Sequence, residues 1–507
     1  VSLAEAISDA EARFEARRRA IGFVLAPTLL VGLWLLPMPS LSPQAHALAA
    51  VAAATVTLWI TEAIPLPAAA LLGPALAVLL GVADAKPVFA PFADPLIFLF
   101  LGGFLLAEGL SRQGVDRRVA LWLIARPIVA GSPARAMIAV ACIAWAFSMW
   151  ISNTATTAML LPVALGVHAT MRGVVDDEPE ARRQIDRFGG GMCLLVAYAS
   201  SIGGIATPIG TGPNVIAIGM LEDRLGVQFD FVQWMSFAVP ISIAMMLFAL
   251  AIGVRRFRAP LSHLPGLADE VARQLAALGP IRAGERRAVA VFGLAVAGWL
   301  SPSVLRLLLG ATHPATVWAG DVLDEGVVAI LCGSLLFFLP SGEGKREPML
   351  AWADAQRLDW GTILLLGGGL ALGKLTFETG LAEAIGRGVL GGLGPLASHP
   401  VGLLVCAVAL ILVLTEVTSN TAVTAMMLPV LIGIAQAAGI DPVPTAVLAT
   451  IAASFAFMLP VSTPPNAMAY GTRMIRVEAM LACGVRLDAW GFVVLVVAGL
   501  WLVPAVL

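Results

Sequence analysis

The chain has 507 residues, 59% of them hydrophobic and 13% charged, with a formal net charge of −2. Soluble domains carry about 25% charged residues, so a soluble globular protein is excluded, and the lack of a basic block argues against nucleic acid as a partner. Stretches 136–171, 188–221, 231–254, 417–440 and 442–472 contain no Asp, Glu, Lys or Arg, which predicts an all-α polytopic membrane protein.

In chain order, the charged segment through Arg19 reads as a helix on the cytoplasmic surface. A signal peptide is the rival reading, since Ala45-His46-Ala47 has the look of a cleavage site. Glu5, Asp9, Glu11 and Glu15 are wrong for its basic leader, and 21–37 is longer than its usual apolar core, so 21–37 is expected to be a retained span. Segments 44–60, 64–82 and 91–110 each fit one pass, and 111–130, with Arg112, Arg117 and Arg118, suits a helix lying at the interface. Segment 134–170 is too long for one pass: at ~1.5 Å per residue it would reach roughly 55 Å, against ~30 Å of hydrocarbon. The polar triplet Ser152-Asn153-Thr154 sits at its middle. A re-entrant hairpin with the triplet at its tip resolves both features.

A charged loop is expected at 172–187. Segment 189–222 then reads as one discontinuous helix, interrupted at 207–214 by TPIGTGPN. An ordinary span follows at 231–254. The longest polar loop, 255–287, is the expected boundary between halves.

The second half repeats the plan. Spans near 288–309 and 322–340 precede 358–376, where Gly367-Gly368 matches Gly102-Gly103. Segment 400–439 is a second hairpin. The sequence ISNTATTAMLLPV at 151–163 returns as TSNTAVTAMMLPV at 418–430, placing Ser419-Asn420-Thr421 at the second tip. Segment 442–472 is a second broken helix, interrupted at 460–466, and 491–507 is the last span. With the N-terminus inside, 26 of the 31 Lys and Arg fall on the inner side, as the positive-inside rule requires. The fold expected is an inverted repeat of about 11 transmembrane helices, two re-entrant hairpins and two discontinuous helices.

Four helix breaks converge in this arrangement. Each exposes helix N-terminal amides, which favour anions, and frees carbonyls, which suit a hard cation. The tips carry Ser, Thr and Asn but no Lys or Arg, so an anion's charge has to be met by helix ends or by co-bound cations. A single such triplet would be ordinary Ser/Thr back-bonding; its duplication beside two Pro-Asn breaks favours a site. Glu416, whose counterpart is Met149, is either functional or a carboxylate hydrogen-bonded inside the hairpin. Glu62 reads as structural, and Lys374 with Glu378 as an i,i+4 pair. His46, His168, His263, His313 and His399 do not cluster, and the five cysteines have no CxxC spacing, which disfavours a histidine metal site or a disulfide framework.

The paired SNT tips, ITEAIPLP at 60–67, TGPN at 211–214 and TPPN at 463–466 resemble the divalent anion/sodium symporter family, with its bacterial and animal di- and tricarboxylate transporters. The resemblance spans roughly 59–471. It implies an elevator working as a homodimer, with 1–133 as N-terminal scaffold helices and 134–254 as a first transport half. Residues 255–399 would be a linker and second scaffold part, and 400–507 the second transport half. It implies substrate contact at Ser152, Asn153, Thr154, Thr211, Ser419, Asn420, Thr421 and Thr463. One Na⁺ site would use Ser148, Ser152, Asn153 and Gly210; the other Thr415, Ser419, Asn420 and Ser462, with the carbonyl of Thr418. Gly212 stands where Pro is common in bacterial members, and Ser462 where Ala is common.

The expected function is sodium-coupled symport of small dicarboxylates such as succinate, malate and fumarate across the cell inner membrane. The alternatives are a sodium-independent dicarboxylate exchanger, or citrate or sulfate as substrate. Membrane lipid is a further partner. An intramembrane hydrolase would need a nucleophile with a base, and the tips hold hydroxyls but no His.

Overall fold

The computed structural model describes residues 9–174, 179–259, 267–342, 347–393 and 398–506. Among them every regular element is a helix, with one isolated antiparallel bridge between Pro340 and Pro348. A helix satisfies its backbone amides and carbonyls within its own segment, which hydrocarbon demands.

Helices α1 (Asp9–Leu35) and α2 (Pro43–Thr61) pack on each other, and α1 turns Phe23, Val24 and Trp34 outward. α2 starts where Ser42 Oγ accepts the Ala45 amide at 3.1 Å with Pro43 in the first turn, and stops at Glu62, whose φ of 47° is left-handed. There follow α3 (Leu66–Leu79), the short α4 (Ala85–Phe89) and α5 (Pro95–Gln113), which is capped by Asp94. Stretch 111–130 forms the end of α5, α6 (Val115–Ile124) and α7 (Pro127–Ala130).

Next come α8 (Pro133–Ser148), α9 (Asn153–Val174), α10 (Pro179–Gly204), α11 (Gly212–Leu225) and α12 (Phe231–Arg256). The expected loop 172–187 is corrected: α9 and α10 run into it, and Asp186 on α10 pairs with His168 and Arg172 on α9. Its residues 175–178 lie outside the described residues. The polar stretch 255–287 likewise holds α13 (Leu267–Ala277) and the start of α14 (Ala283–Leu309), where Glu285 pairs with Arg118 of α6; its residues 260–266 lie outside the described residues.

Helices α15 (Pro314–Val322), α16 (Glu325–Phe338), α17 (Trp352–Ala355), α18 (Trp360–Glu378) and α19 (Leu381–Leu393) lead to α20 (Pro400–Thr415) and α21 (Asn420–Ala437). The chain closes with α22 (Pro442–Ala453), α23 (Pro464–Gly471), α24 (Val477–Val497) and, after a π turn, α25 (Val503–Val506). The last apolar helix therefore begins at Val477, earlier than the expected 491. Among the described residues nine helical segments are long and apolar enough to cross a membrane, and α3, α8, α16, α20 and α22 are apolar but shorter.

Two close crossings use the matched glycine pairs. A Cβ on Gly102 of α5 would strike the backbone of Ala329 on α16, and one on Gly368 of α18 would strike the carbonyl of Ala70 on α3. Small residues let helix backbones approach where side chains would hold them apart. A stack of parallel rings, Trp150 over Phe231 (6.2 Å between centroids) and Phe231 over Trp299 (5.0 Å), ties the turn after α8 to α12 and α14.

Candidate functional site

The turn 149–152 joins α8 to α9, and the two helices pack against each other. Ser, Asn and Thr offer the backbone local alternatives to helical bonding, and each is used here. Ser152 Oγ accepts the Ala155 amide at 3.3 Å, the Ser148 hydroxyl donates to Asn153 Oδ1 at 2.6 Å, and the Thr157 hydroxyl donates to the Asn153 carbonyl at 2.8 Å. The turn 416–419 between α20 and α21 reproduces the last two of these bonds, while Ser419 makes no side-chain cap. The Thr415 hydroxyl donates to Asn420 Oδ1 at 2.8 Å, and the Thr424 hydroxyl to the Asn420 carbonyl at 2.9 Å.

The two Pro-Asn breaks are also built alike. Asn214, at the start of α11, donates from Nδ2 to the carbonyls of Gly204, Ile205 and Thr207 at 3.2, 3.3 and 2.8 Å. Asn466, at the start of α23, donates to those of Ala456 and Leu459 at 2.9 and 3.1 Å. Both side chains are fully buried. Each asparagine thus gathers carbonyls freed by the broken helix, a buried polar group that would otherwise be costly.

All four breaks meet on one cavity of about 540 Å³. The expected substrate residues Ser152, Asn153, Thr154, Thr211, Ser419, Asn420, Thr421 and Thr463 all line it, and so do Gly210 and Ser462. Four helix starts open there: α9 at Asn153, α11 at Gly212, α21 at Asn420 and α23 at Pro464. Their dipoles make the cavity favourable to anions, although α23 opens on Pro464 and Pro465 and so brings no N–H of its own in those positions. Gly212 allows close approach of the two halves, since a Cβ there would lie 2.9 Å from Thr421 Oγ1. Among the described residues no Lys or Arg lines the cavity.

The expected cation ligands divide. In the first set Ser148 Oγ, Asn153 Oδ1 and Gly210 are gathered about Gly204, which was not among the expected ligands: a Cβ on Gly204 would strike Asn153 Oδ1, and one on Gly210 would strike the Gly204 carbonyl; Ser152 lines the cavity, with its Oγ accepting the Ala155 amide. These are neutral oxygens of the type a hard cation takes. In the other set, the Thr415 hydroxyl meets both Asn420 Oδ1 and the Ala453 carbonyl. Ser462 donates its hydroxyl to Glu416, which leaves its oxygen as free to meet a cation as that of Ser148, while Thr418 lies off the cavity wall with its hydroxyl 3.4 Å from the Trp59 carbonyl.

Glu416 does not line the cavity. Its Oε1 accepts the amides of Phe457 and Met458 at 2.7 and 2.9 Å; Oε2 accepts the Leu459 amide at 3.2 Å and the Ser462 hydroxyl at 2.6 Å. The carboxylate thus satisfies the amides bared by the break after α22. At the corresponding place in the first half the link is hydroxyl to carbonyl alone: the Thr207 hydroxyl donates to the Met149 carbonyl as the Ser462 hydroxyl does to the Glu416 carbonyl, with no carboxylate beside it.

Among the wall residues not foreseen are Phe100 and Phe104 on α5, and Asp359 and Thr362 at the start of α18. Glu62, expected to be structural, is on the wall as well, in an ion pair with Arg18 at 3.1 Å. The signals available in the sequence were the ITEAIPLP motif for Glu62 and the Asp-x-x-Thr helix start for Asp359.

The family model described as the sodium:sulfate symporter transmembrane region matches residues 18–507. The sodium-dependent dicarboxylate transporter SdcS of Staphylococcus saprophyticus is 34% identical over 495 residues, covering 96% of this chain and 92% of that protein. SdcS of Staphylococcus aureus is 31% identical over 496 residues, with the same coverage. Among solved structures, the Alcanivorax borkumensis YdaH transporter superposes with a TM-score of 0.52 at 14% identity, covering 82% of this chain and 87% of that one. Neisseria gonorrhoeae MtrF gives 0.54 at 12% identity, covering 82% of each. These two show likeness of fold alone. Through the match over nearly its whole length, the chain belongs to the sodium:sulfate symporter family, the divalent anion:Na⁺ symporters.

Proposed function

We propose that this protein is a sodium-coupled symporter of small dicarboxylates such as succinate, malate and fumarate. The observation that carries the reading is the convergence of four helix N-termini and two Ser-Asn-Thr turns on one cavity without Lys or Arg. Such a wall offers an anion hydrogen-bond donors and partial positive charge but no full countercharge. Co-bound cations then supply the balance, and the oxygens of Ser148, Asn153, Gly204 and Gly210 on one side, and of Thr415 and Asn420 on the other, are suited to Na⁺. The name of the SdcS relatives supports the same assignment.

The finer architecture belongs to this proposal. The helix pairs α8–α9 and α20–α21 are read as re-entrant hairpins, and α10–α11 and α22–α23 as discontinuous helices, in an inverted repeat with about 11 passes. Residues 134–254 and 400–507 form the moving body of an elevator; 1–133 and 255–399 supply the scaffold. The chain works as a homodimer in the inner membrane among lipid, with its N-terminus in the cytoplasm. The outward apolar face of α1 and the charge distribution support that placement. A hydrolase is disfavoured, since among the described residues no His lines the cavity and the Glu416 carboxylate is engaged by three amides.

The test is uptake of labelled succinate into proteoliposomes, with and without an inward Na⁺ gradient, empty or preloaded with succinate. Uptake that needs the gradient and not the preload establishes symport. Uptake that needs only the preload makes the protein an exchanger and removes the sodium ligands. Competition by sulfate and citrate in the same assay ranks the anions.

A further inference from the structure

The wall facing the Ser-Asn-Thr turns carries two acids, Glu62 and Asp359. Arg18 offsets the charge of Glu62. Asp359 has no cationic partner among the described residues. Its Oδ1 accepts the Thr362 amide at 3.0 Å and its Oδ2 the Thr362 hydroxyl at 2.6 Å, both from its own helix. The N-terminus of α18 compensates only about half an elementary charge. Asp359 also lines an adjoining cavity of about 400 Å³, which shares Phe104, Ser152, Thr154 and Pro464 with the first. That adjoining space is also lined by Arg357, Glu108 and Asp116. An anion passing between the two cavities meets a fixed carboxylate at their junction.

A helix cap does not need that charge. Asn or Ser caps a helix about as well as Asp, so the cap accounts for an oxygen at position 359 and leaves its charge unexplained. We propose that Asp359 sets the charge the site accepts: it repels a dianion arriving without sodium, and it favours the complex in which Na⁺ ions have balanced the anion. The inference rests on reading the cavity as a dicarboxylate site. Repulsion between a dianion and one carboxylate across ~10 Å of water corresponds to about fourfold in affinity, and to more where water is excluded.

Asp359→Asn keeps the cap and removes the charge. In proteoliposomes holding the full chain, this variant is expected to show sodium-independent succinate uptake above wild type. At saturating Na⁺ its KM for succinate falls about fourfold, and the Na⁺ concentration for half-maximal uptake rises. Asp359→Glu, which keeps the charge, retains the wild-type sodium requirement. A second measurement needs no transport: succinate without sodium raises the melting temperature of detergent-solubilised D359N and not that of wild type. If D359N does not reconstitute, D359S takes its place in both assays. Neutral variants that match wild type in both sodium dependence and sodium-free stabilisation overturn the proposal. A wild-type protein that takes up no dicarboxylate under a sodium gradient overturns the reading of the site instead, which is a separable result.

Discussion

The hydroxyl of Ser148 donates to Oδ1 of Asn153 at 2.6 Å. That bond fixes the amide's orientation: with its oxygen held toward the end of α8, its NH₂ is the group left for a ligand in the cavity. Thr415 and Asn420 repeat the relationship at 2.8 Å. Asn153→Ala and Asn420→Ala are each expected to abolish succinate uptake, because a hydrogen bond to a charged group is worth roughly 1.5–3 kcal/mol, or about 10- to 150-fold. Size-exclusion profiles and melting temperatures near wild type distinguish this from misfolding, and normal uptake in both variants removes the tips from the site.

Ser148→Ala removes a proposed cation ligand; the Asn153 side chain remains but loses the bond that orients its amide. The Na⁺ concentration for half-maximal uptake is expected to rise at least several-fold, about 1 kcal/mol for one lost oxygen, with a smaller change in the succinate KM at saturating Na⁺. An equal shift in both constants would place Ser148 outside the cation site.

Glu416 is predicted to act on stability. In Glu416→Ala the amides of Phe457, Met458 and Leu459 lose their acceptor. At roughly 1–3 kcal/mol for each unsatisfied buried group, the loss reaches about 3 kcal/mol or more. Thermal unfolding in detergent reads this directly. Glu416→Gln keeps one carbonyl oxygen as acceptor and is expected to lose less. A stable E416A that has lost only sodium coupling would show the carboxylate to be part of the transport machinery.

The two Pro-Asn clamps make a matched pair of predictions. Asn214→Asp replaces a donor to three carbonyls with an acceptor, and Asn466→Asp does the same to two. Both are expected to prevent accumulation of folded protein, with N214D the more severe. Quantified fluorescence-detected gel filtration of membranes expressing each variant checks the order.

At the polar edge of the α9–α10 pair, burial raises the pKa of Asp186, but the Arg172 guanidinium and His168 outweigh it and hold the carboxyl below its ordinary value. A depressed carboxyl stabilises the fold above its unfolded pKa, near 4, and loses that contribution as pH falls through its folded value. Asp186→Asn should therefore lower the melting temperature slightly at pH 7, and the gap to wild type should close below about pH 4. The pair is partly exposed, so the effect is under about 1 kcal/mol.

The sequence was most legible where one half could be read against the other. The matched triplets 152–154 and 419–421 and the matched Asn214 and Asn466 located four breaks that do line a single cavity. What escaped depends on partners distant in the chain. The role of Glu416 is set by amides some forty residues later, and that of Glu62 by Arg18 across the α1–α2 pair. Asp359 lies inside the expected segment 358–376 with nothing to single it out, and only the packing of α18 beside the turns puts it on the wall. The loops at 172–187 and 255–287 were mistaken because charge-free windows end before helices do. The charged ends of α9, α10 and α14 continue as helix, where Arg172, Asp186 and Glu285 find partners.

The Glu416 link also limits which pieces could be exchanged. Met at 416 leaves the backbone between α22 and α23 in its present shape without its acceptor. Glu at 149 buries a carboxylate where the turn's backbone carbonyl now receives a hydroxyl from Thr207. Each turn is therefore matched to the break that follows it in the chain, and a turn moves only in company with its own break.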